Sequence, residues 1–187
     1  MLFVLLWSTG WVVARASADH ADPLTFLCLR FLLAGLALAL IALQARVVWP
    51  RGRHALHAMI SGVFTHAIYL SGVWWSIRHG LPSVVSGLLA AIQPIATALF
   101  APALLGERIS VKQWCGILLG FVGVTLVLEP KLFNVSVDQL EANLALIGIN
   151  AVGMIGVTIG SFYQKRFIPS GDLRSVSVLQ YIGALAL

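Results

Sequence analysis

The side chains of this sequence that can do chemistry are few, and they stand where polar groups are costly. Arg30, His66, Tyr69, Gln93 and Asn150 each fall inside a long apolar segment, and Arg30 is the one clear charge among them. An ionisable group inside a membrane span costs about 2.5–3.5 kcal/mol on insertion scales and is a functional-site hypothesis by default. A guanidinium in that setting suits a carboxylate-bearing ligand, which accepts paired N–H donors. The structural alternative is that Arg30, about two turns from its helix start, snorkels outward or satisfies backbone carbonyls.

His66 and Tyr69 share a helix face, with Gly62 one turn earlier leaving room for a second helix. Such a face binds an amphipathic solute by hydrogen bonding and stacking, or holds a His satisfied within a helix bundle. Trp74 and Trp75 read as part of an interfacial aromatic belt. Gln93 precedes Pro94 near the middle of its run. Proline removes a backbone donor and frees a carbonyl one turn back, which opens polar backbone to a cavity, provides a bending point, or is a packing irregularity. An amide in hydrocarbon needs a partner, which makes Asn150 a pocket candidate. Trp7 and Trp11, four apart, form one aromatic face that borders a cavity or lipid. Arg30, His66, Tyr69, Gln93 and Asn150 are therefore expected as polar cavity contacts, with Trp7 and Trp11 as apolar walls. His54 and His57 have a loose metal-like spacing without a third ligand, so no metal site is expected. No motif calls for a cofactor.

The elements that must position these residues are all helices. The chain is 59% hydrophobic and 10% charged, with a mean hydropathy of +0.94, far from the soluble average of about 25% charged. Apolar segments occur at about 1–18, 24–44, 55–77, 82–105, 111–128, 142–164 and 173–187. The run from Pro82 to Gly106 holds no Asp, Glu, Lys or Arg, and about 20 apolar residues cross a hydrocarbon core of roughly 30 Å. Helix punctuation fits these bounds: Asp22 with Pro23 as an N-cap and first position, Gly80 and Pro82 as a break, and Ser110 with Gln113 as a capping box. Either Ser136 with Gln139 or Asp138 with Glu141 caps the sixth helix. Gly116, Gly120 and Gly123, and Gly153, Gly156 and Gly160, have close-packing spacing. Cys28 and Cys115 read as small buried hydrophobes and not as a disulfide.

Lys and Arg alternate between connections. One set holds Arg46, Arg51, Arg53, Arg108, Lys112, Lys165, Arg166 and Arg174, and the other only Arg15, Arg78 and Lys131. The richer set is expected in the cytoplasm, together with the amino terminus. The net charge of +5 is then a topology signal, so the expected partners are a lipid bilayer and a small-molecule substrate, not nucleic acid. Met1 opens straight into apolar residues and the last segment is short for a span, so the first helix reads as clipped and the chain as ending in mid-helix.

A weak internal repeat has an offset near 150: Asp22 and Arg30 are matched by Asp172 and Gln180 at equal separation. A five-helix unit repeated in this way enters the membrane from opposite sides, as in many secondary transporters.

With these residues in view, the chain resembles a known family. Trp7, Ser8 and Gly10 before a helix that opens at Pro23 and carries Arg30 resemble the start of an EamA domain, of the drug/metabolite transporter superfamily. Gln93 and Pro94 through Ala101, Leu105, Gly106, Glu107, Arg108, Ile109 and Ser110 to Gln113, Gly116 and Gly123 are similar to its Pro helix, Gly-Glu-Arg turn and Gly-rich fifth helix. The resemblance assigns residues 1–130 to a first five-helix repeat and 140–187 to the opening two helices of a second. It implies an all-α polytopic bundle of ten helices in two inverted units, a bacterial inner membrane, and export of amino acids, other metabolites or drugs by alternating access. Readings from other classes are an integral membrane enzyme, which would need clustered carboxylates or a metal motif at one membrane face, and a non-transporting subunit. Glu107 and Arg108 read as turn and cap chemistry.

Overall fold

The computed structural model describes residues 22–132 and 135–187. Its helices are α1 (Pro23–Gln44), α2 (Arg53–Arg78), α3 (Ser83–Leu105), α4 (Val111–Leu132), α5 (Val137–Ala142), α6 (Leu144–Phe167) and α7 (Leu173–Leu185), with no strand among the described residues. Five of them, α1, α2, α3, α4 and α6, are long and apolar enough to cross a membrane. Without water to satisfy backbone groups, a lipid-embedded chain must bond internally, so each apolar run becomes one helix.

The helix starts are set by side-chain caps. Asp22 Oδ2 accepts from the Thr25 N–H at 2.9 Å, with Pro23 in the first turn of α1. This backbone bond leads the interactions that lower the Asp22 pKa. Asp172 opens α7 in the same way, accepting from the Arg174 N–H at 2.9 Å. Ser110 and Gln113 form the expected reciprocal box, at 2.8 and 3.3 Å. The box of Ser136 and Gln139 is also present, but it caps the short α5, and α6 begins afresh at Asn143 without a side-chain cap. Gly106 ends α3 in the left-handed region, φ 70°, which favours glycine at a helix C-terminus.

Backbone proximity fixes the packing. Gly62 of α2 faces the Gln180 carbonyl of α7, and Gly183 of α7 faces the Met59 carbonyl of α2; a Cβ at either would overlap that oxygen. Along α6, Gly153 meets the Tyr69 carbonyl, Gly156 the Ile68 side chain, and Gly160 the Thr65 side chain. The α6 glycines therefore pack as their spacing predicts, against an antiparallel α2. Gly116, Gly120 and Gly123 do not: a Cβ at any of them would meet nothing within 4 Å. Helix α4 packs only on α3 among the described helices, and its span has no buried residue. Cys28 and Cys115 are free, and both are exposed where burial was expected.

Helices α1 and α7 run antiparallel. The Ser175 hydroxyl, at the start of α7, donates to the Val48 carbonyl just past the end of α1 at 3.2 Å. Further along, Phe31 stacks on Tyr181 at 5.8 Å. These two aromatics are themselves separated by the repeat offset, as are the two capping aspartates. The bundle also gathers eight basic residues at one end. There His57 meets Tyr163, Lys165 meets Glu107, and Ser175 meets the connection after α1. Arg46, Arg51, Arg53, Arg108, Lys112, Arg166 and Arg174 lie in or beside those same connections.

Two outcomes follow. Gly183→Leu will destabilise the chain in detergent by about 1–3 kcal/mol or more, whereas Gly116→Leu will stay within about 0.5 kcal/mol; thermal unfolding that gives equal losses would refute this packing. Arg174, bonded through its side chain and then its backbone N–H, holds the Asp172 carboxyl down from 3.8 to about 2. A depressed carboxylate stabilises above its unfolded pKa, and the contribution fades as pH falls through the folded value. The difference in unfolding temperature between the native chain and Asp172→Asn should accordingly be constant above about pH 4 and shrink toward pH 2. A gap that stays constant down to pH 2 would contradict that assignment.

Candidate functional site

The expected polar residues divide into three places. Arg30 of α1 stands near His66 and Tyr69 of α2, and His66 also meets α7 through Tyr181. Arg30 is exposed, and its Cζ lies 6.0 Å over the ring of Trp74. Its charge acts on both His66 and Tyr69. Among the described residues, no carboxylate lies within ion-pair distance of it. The leucines of α1, Leu29, Leu33, Leu36 and Leu40, are exposed and form its apolar outer face, while Leu27 and Phe31 are buried in the core cluster with Trp74 and Ala184. Arg30 thus stands on the flank of α1 toward α2, neither in the core nor among the leucines.

Aromatic rings wall this place. Trp74 is only 6% exposed and stacks on Phe26 at 5.4 Å. His66 stacks on Tyr181 at 4.8 Å and stands 6.0 Å from Phe31. Trp74 is therefore not a belt residue, as the sequence suggested, but part of the wall. Trp75, which stacks on His79 at the helix end at 3.8 Å, keeps a position suited to an interface.

The backbone under His66 is unusual. Residues Val63–Ile68 form a π-helical segment inside α2, a widened turn that recurs at functional sites. At its entry the Thr65 hydroxyl donates to the Ser61 carbonyl at 2.8 Å and the Ser61 hydroxyl to the Ala58 carbonyl at 2.8 Å. Such side-chain bonds compete with the i to i−4 ladder. Gln180, 150 residues after Arg30, is 5% exposed and donates to Ser61 Oγ at 3.1 Å and to Gln164 Oε1 at 3.0 Å. It ties α7 to α2 and α6 beside His66.

Gln93 lies elsewhere. With Phe162 it lines two grooves between α3 and α6, each of about 390 Å³. One groove runs past Pro94 and Thr97 to the Glu107–Lys165 ion pair, and the other is walled by Ile92, Phe100, Met154 and Ile159. Asn150 occupies a third place. It is fully buried, and its amide donates to Ser76 Oγ of α2 and Ser86 Oγ of α3, both at 2.9 Å. Its partners are thus protein hydroxyls, and it links three helices; its Oδ1 has no partner. Trp7 and Trp11 lie outside the described residues.

At the basic end, Glu107 reaches beyond turn chemistry. Lys165 Nζ donates to Glu107 Oε2 at 2.7 Å, and Arg166 Nη1 to the Leu104 carbonyl at 3.3 Å, joining the end of α6 to the turn after α3. His57 Nδ1 and the Tyr163 hydroxyl are 2.6 Å apart. Sequence reasoning missed Trp74, Phe31, Tyr181 and Gln180 as neighbours of Arg30 and His66. The repeat offset, extended one residue past Arg30 and Gln180, would have paired Phe31 with Tyr181.

Comparison with known proteins fits this architecture. The chain is 26% identical over 186 residues to a probable amino-acid metabolite efflux pump of Escherichia coli, covering 99% of this chain and 58% of that protein. It is 24% identical over 171 residues to the uncharacterized transporter YvbV of Bacillus subtilis, covering 87% and 51%. It is 30% identical over 136 residues to the aromatic amino acid exporter YddG of Ancylobacter novellus, covering 68% and 44%. The chain thus spans about half the length of the curated relatives it matches. No solved structure matches it. Residues 1–129 match the model of the EamA-like transporter family, and the chain belongs to that family of multi-pass membrane proteins.

Proposed function

We propose that this chain forms part of an exporter of amino acids and related small carboxylates, working by alternating access in a bacterial inner membrane. The substrate site is the face of α1, α2 and α7 around Arg30, His66 and Tyr69, with Trp74 beneath the guanidinium. One observation carries the reading: a mid-helix cation, exposed and without a carboxylate partner among the described residues, stands over a buried indole with a π-helical histidine nearby. Leaving a charge in that position is costly for a membrane helix unless it is used. The names of the relatives, a probable amino-acid metabolite efflux pump and an aromatic amino acid exporter, support the substrate class. Gln93 and the grooves beside Pro94 are proposed as part of the passage, and Asn150 as a brace that acts on the site through α2.

The basic end of the bundle is proposed to face the cytoplasm, by the positive-inside rule. With Cys28 and Cys115 replaced by Ser, a cysteine at Arg51 should resist a membrane-impermeant maleimide in intact cells and react in everted vesicles. The opposite pattern would reverse the orientation. In everted vesicles carrying the full gene product, a panel of labelled amino acids should include at least one that accumulates. Arg30→Ala should lower that flux about tenfold to a hundredfold, since hydrogen bonds to charged groups are worth about 1.5–3 kcal/mol. Unchanged flux in a folded Arg30→Ala protein would rule out this site.

A further inference from the structure

We infer that the connection between α1 and α2 is a binding site for the headgroup of an anionic phospholipid, whose phosphate meets Arg46, Arg51 and Arg53 beside Trp49. This site is separate from Arg30 and stands whether or not that residue binds substrate.

The spans set its depth. Helix α1 closes at Gln44 and α2 opens at Arg53, and both are long and apolar enough to cross a membrane. The residues between them therefore stand at the level of the lipid headgroups. The three cations of this stretch are all arginine. A guanidinium offers a planar fork that matches two phosphate oxygens, which an ammonium does not. Val48 and Trp49 lie between the arginines, and Val48 is 85% exposed. An indole at headgroup level with an apolar side chain beside it suits the glycerol and upper acyl region of a lipid. That pairing favours a lipid phosphate over a free anion from water.

The backbone of the stretch is held at three points. Where α1 ends, the Val47 N–H donates to the Ala42 carbonyl and the Arg46 N–H to the Leu43 carbonyl, both at 3.1 Å. This double closure normally places glycine where Arg46 stands, because that residue is left-handed. Arg46 has φ 50° and is the one non-glycine with positive φ among the described residues. A long cationic side chain kept at a strained backbone position points to a use for the side chain. In the middle, the Ser175 hydroxyl of α7 donates to the Val48 carbonyl at 3.2 Å. Before α2, the His54 N–H donates to the Arg51 carbonyl at 3.2 Å, around Gly52 at φ 55°, a turn that favours glycine. Asp172, which opens α7 beside this stretch, is engaged by Arg174 at 2.6 Å. The arginines are thus carried on an ordered backbone, which lowers the entropy lost on binding. A diffuse basic surface attracts anionic lipid by its charge alone, whereas a fixed set of forks depends on where the charges stand.

The test is native mass spectrometry of the full gene product, released from bilayers of equal phosphatidylglycerol and phosphatidylcholine with matched acyl chains. Phosphatidylglycerol should be retained about tenfold or more over phosphatidylcholine. Arg51→Gln combined with Arg53→Gln should lower that retention about twentyfold, or about fivefold for each arginine. Arg108→Gln combined with Lys112→Gln, which removes equal charge at the connection after α3, should change it less than about twofold. Arg46→Gly should lower retention about fivefold yet unfold at the same or a higher temperature in neutral detergent, since glycine relaxes the left-handed turn. That variant separates lost binding from lost folding. Equal retention of the two lipids, or equal losses in the two double variants, would overturn the site in favour of diffuse charge. Displacement of the lipid by millimolar inorganic phosphate would overturn it in favour of a free-anion site.

Discussion

The fold depends on bare backbone contact between helices. In lipid there is no hydrophobic gain from bringing two apolar helices together, so association rests on close packing and on hydrogen bonds. Helix α2 meets both of its later partners through glycines. Gly62 and Gly183 let α2 and α7 touch carbonyl to α-carbon, and Gly153, Gly156 and Gly160 let α6 press against the π-helical stretch. The histidine side of the candidate site follows from those two contacts, while the contact of α1 with α2 holds Arg30 over Trp74. The α7 contact delivers Tyr181 to His66 and Phe31, and the α6 contact lies along the segment in which His66 is displaced from regular helix.

Hydrogen bonds then make the packing specific. Asn150 joins α6 to α2 and α3, and Gln180 joins α7 to α2 and α6, both from fully or almost fully buried positions. Each leaves a membrane helix with its polar group satisfied by protein on at least one side. Arg30 differs from both. Its guanidinium is exposed and stands over the ring of Trp74. The contrast separates polar residues that build the bundle from the one that the bundle presents. The basic end is braced separately, by Glu107 with Lys165, Arg166 with the Leu104 carbonyl and His57 with Tyr163, so α2, α3 and α6 are tied together there.

Much of this was legible in the sequence, for a physical reason. A chain in hydrocarbon has one way to satisfy its backbone, so apolar run lengths mark the helices within a few residues, and the caps at Asp22, Ser110 and Asp172 mark their starts. The two aspartates that the sequence sets 150 residues apart, Asp22 and Asp172, both open helices. The π segment was not legible, since it depends on local competition by Thr65 and Ser61 hydroxyls and on the glycines of α6 packing against it. Spacing alone made Gly116, Gly120 and Gly123 look like Gly153, Gly156 and Gly160, but only the second set has a described helix against it. Trp74 and Trp75 are adjacent in sequence, and only tertiary contact separates a wall of the site from an interfacial residue. Asn150 was legible as a residue that needs a partner, but not as one whose partners are two serines from other helices.

The central claim is that Arg30 meets a ligand carboxylate directly. The most direct measurement is a solid-state NMR distance between the 15N-labelled guanidinium of the chain in lipid and the 13C-labelled carboxyl of bound L-phenylalanine. The account predicts a separation of about 4 Å, the geometry of a charge-assisted fork. Bound ligand whose carboxyl shows no dipolar coupling to any arginine side chain would contradict it.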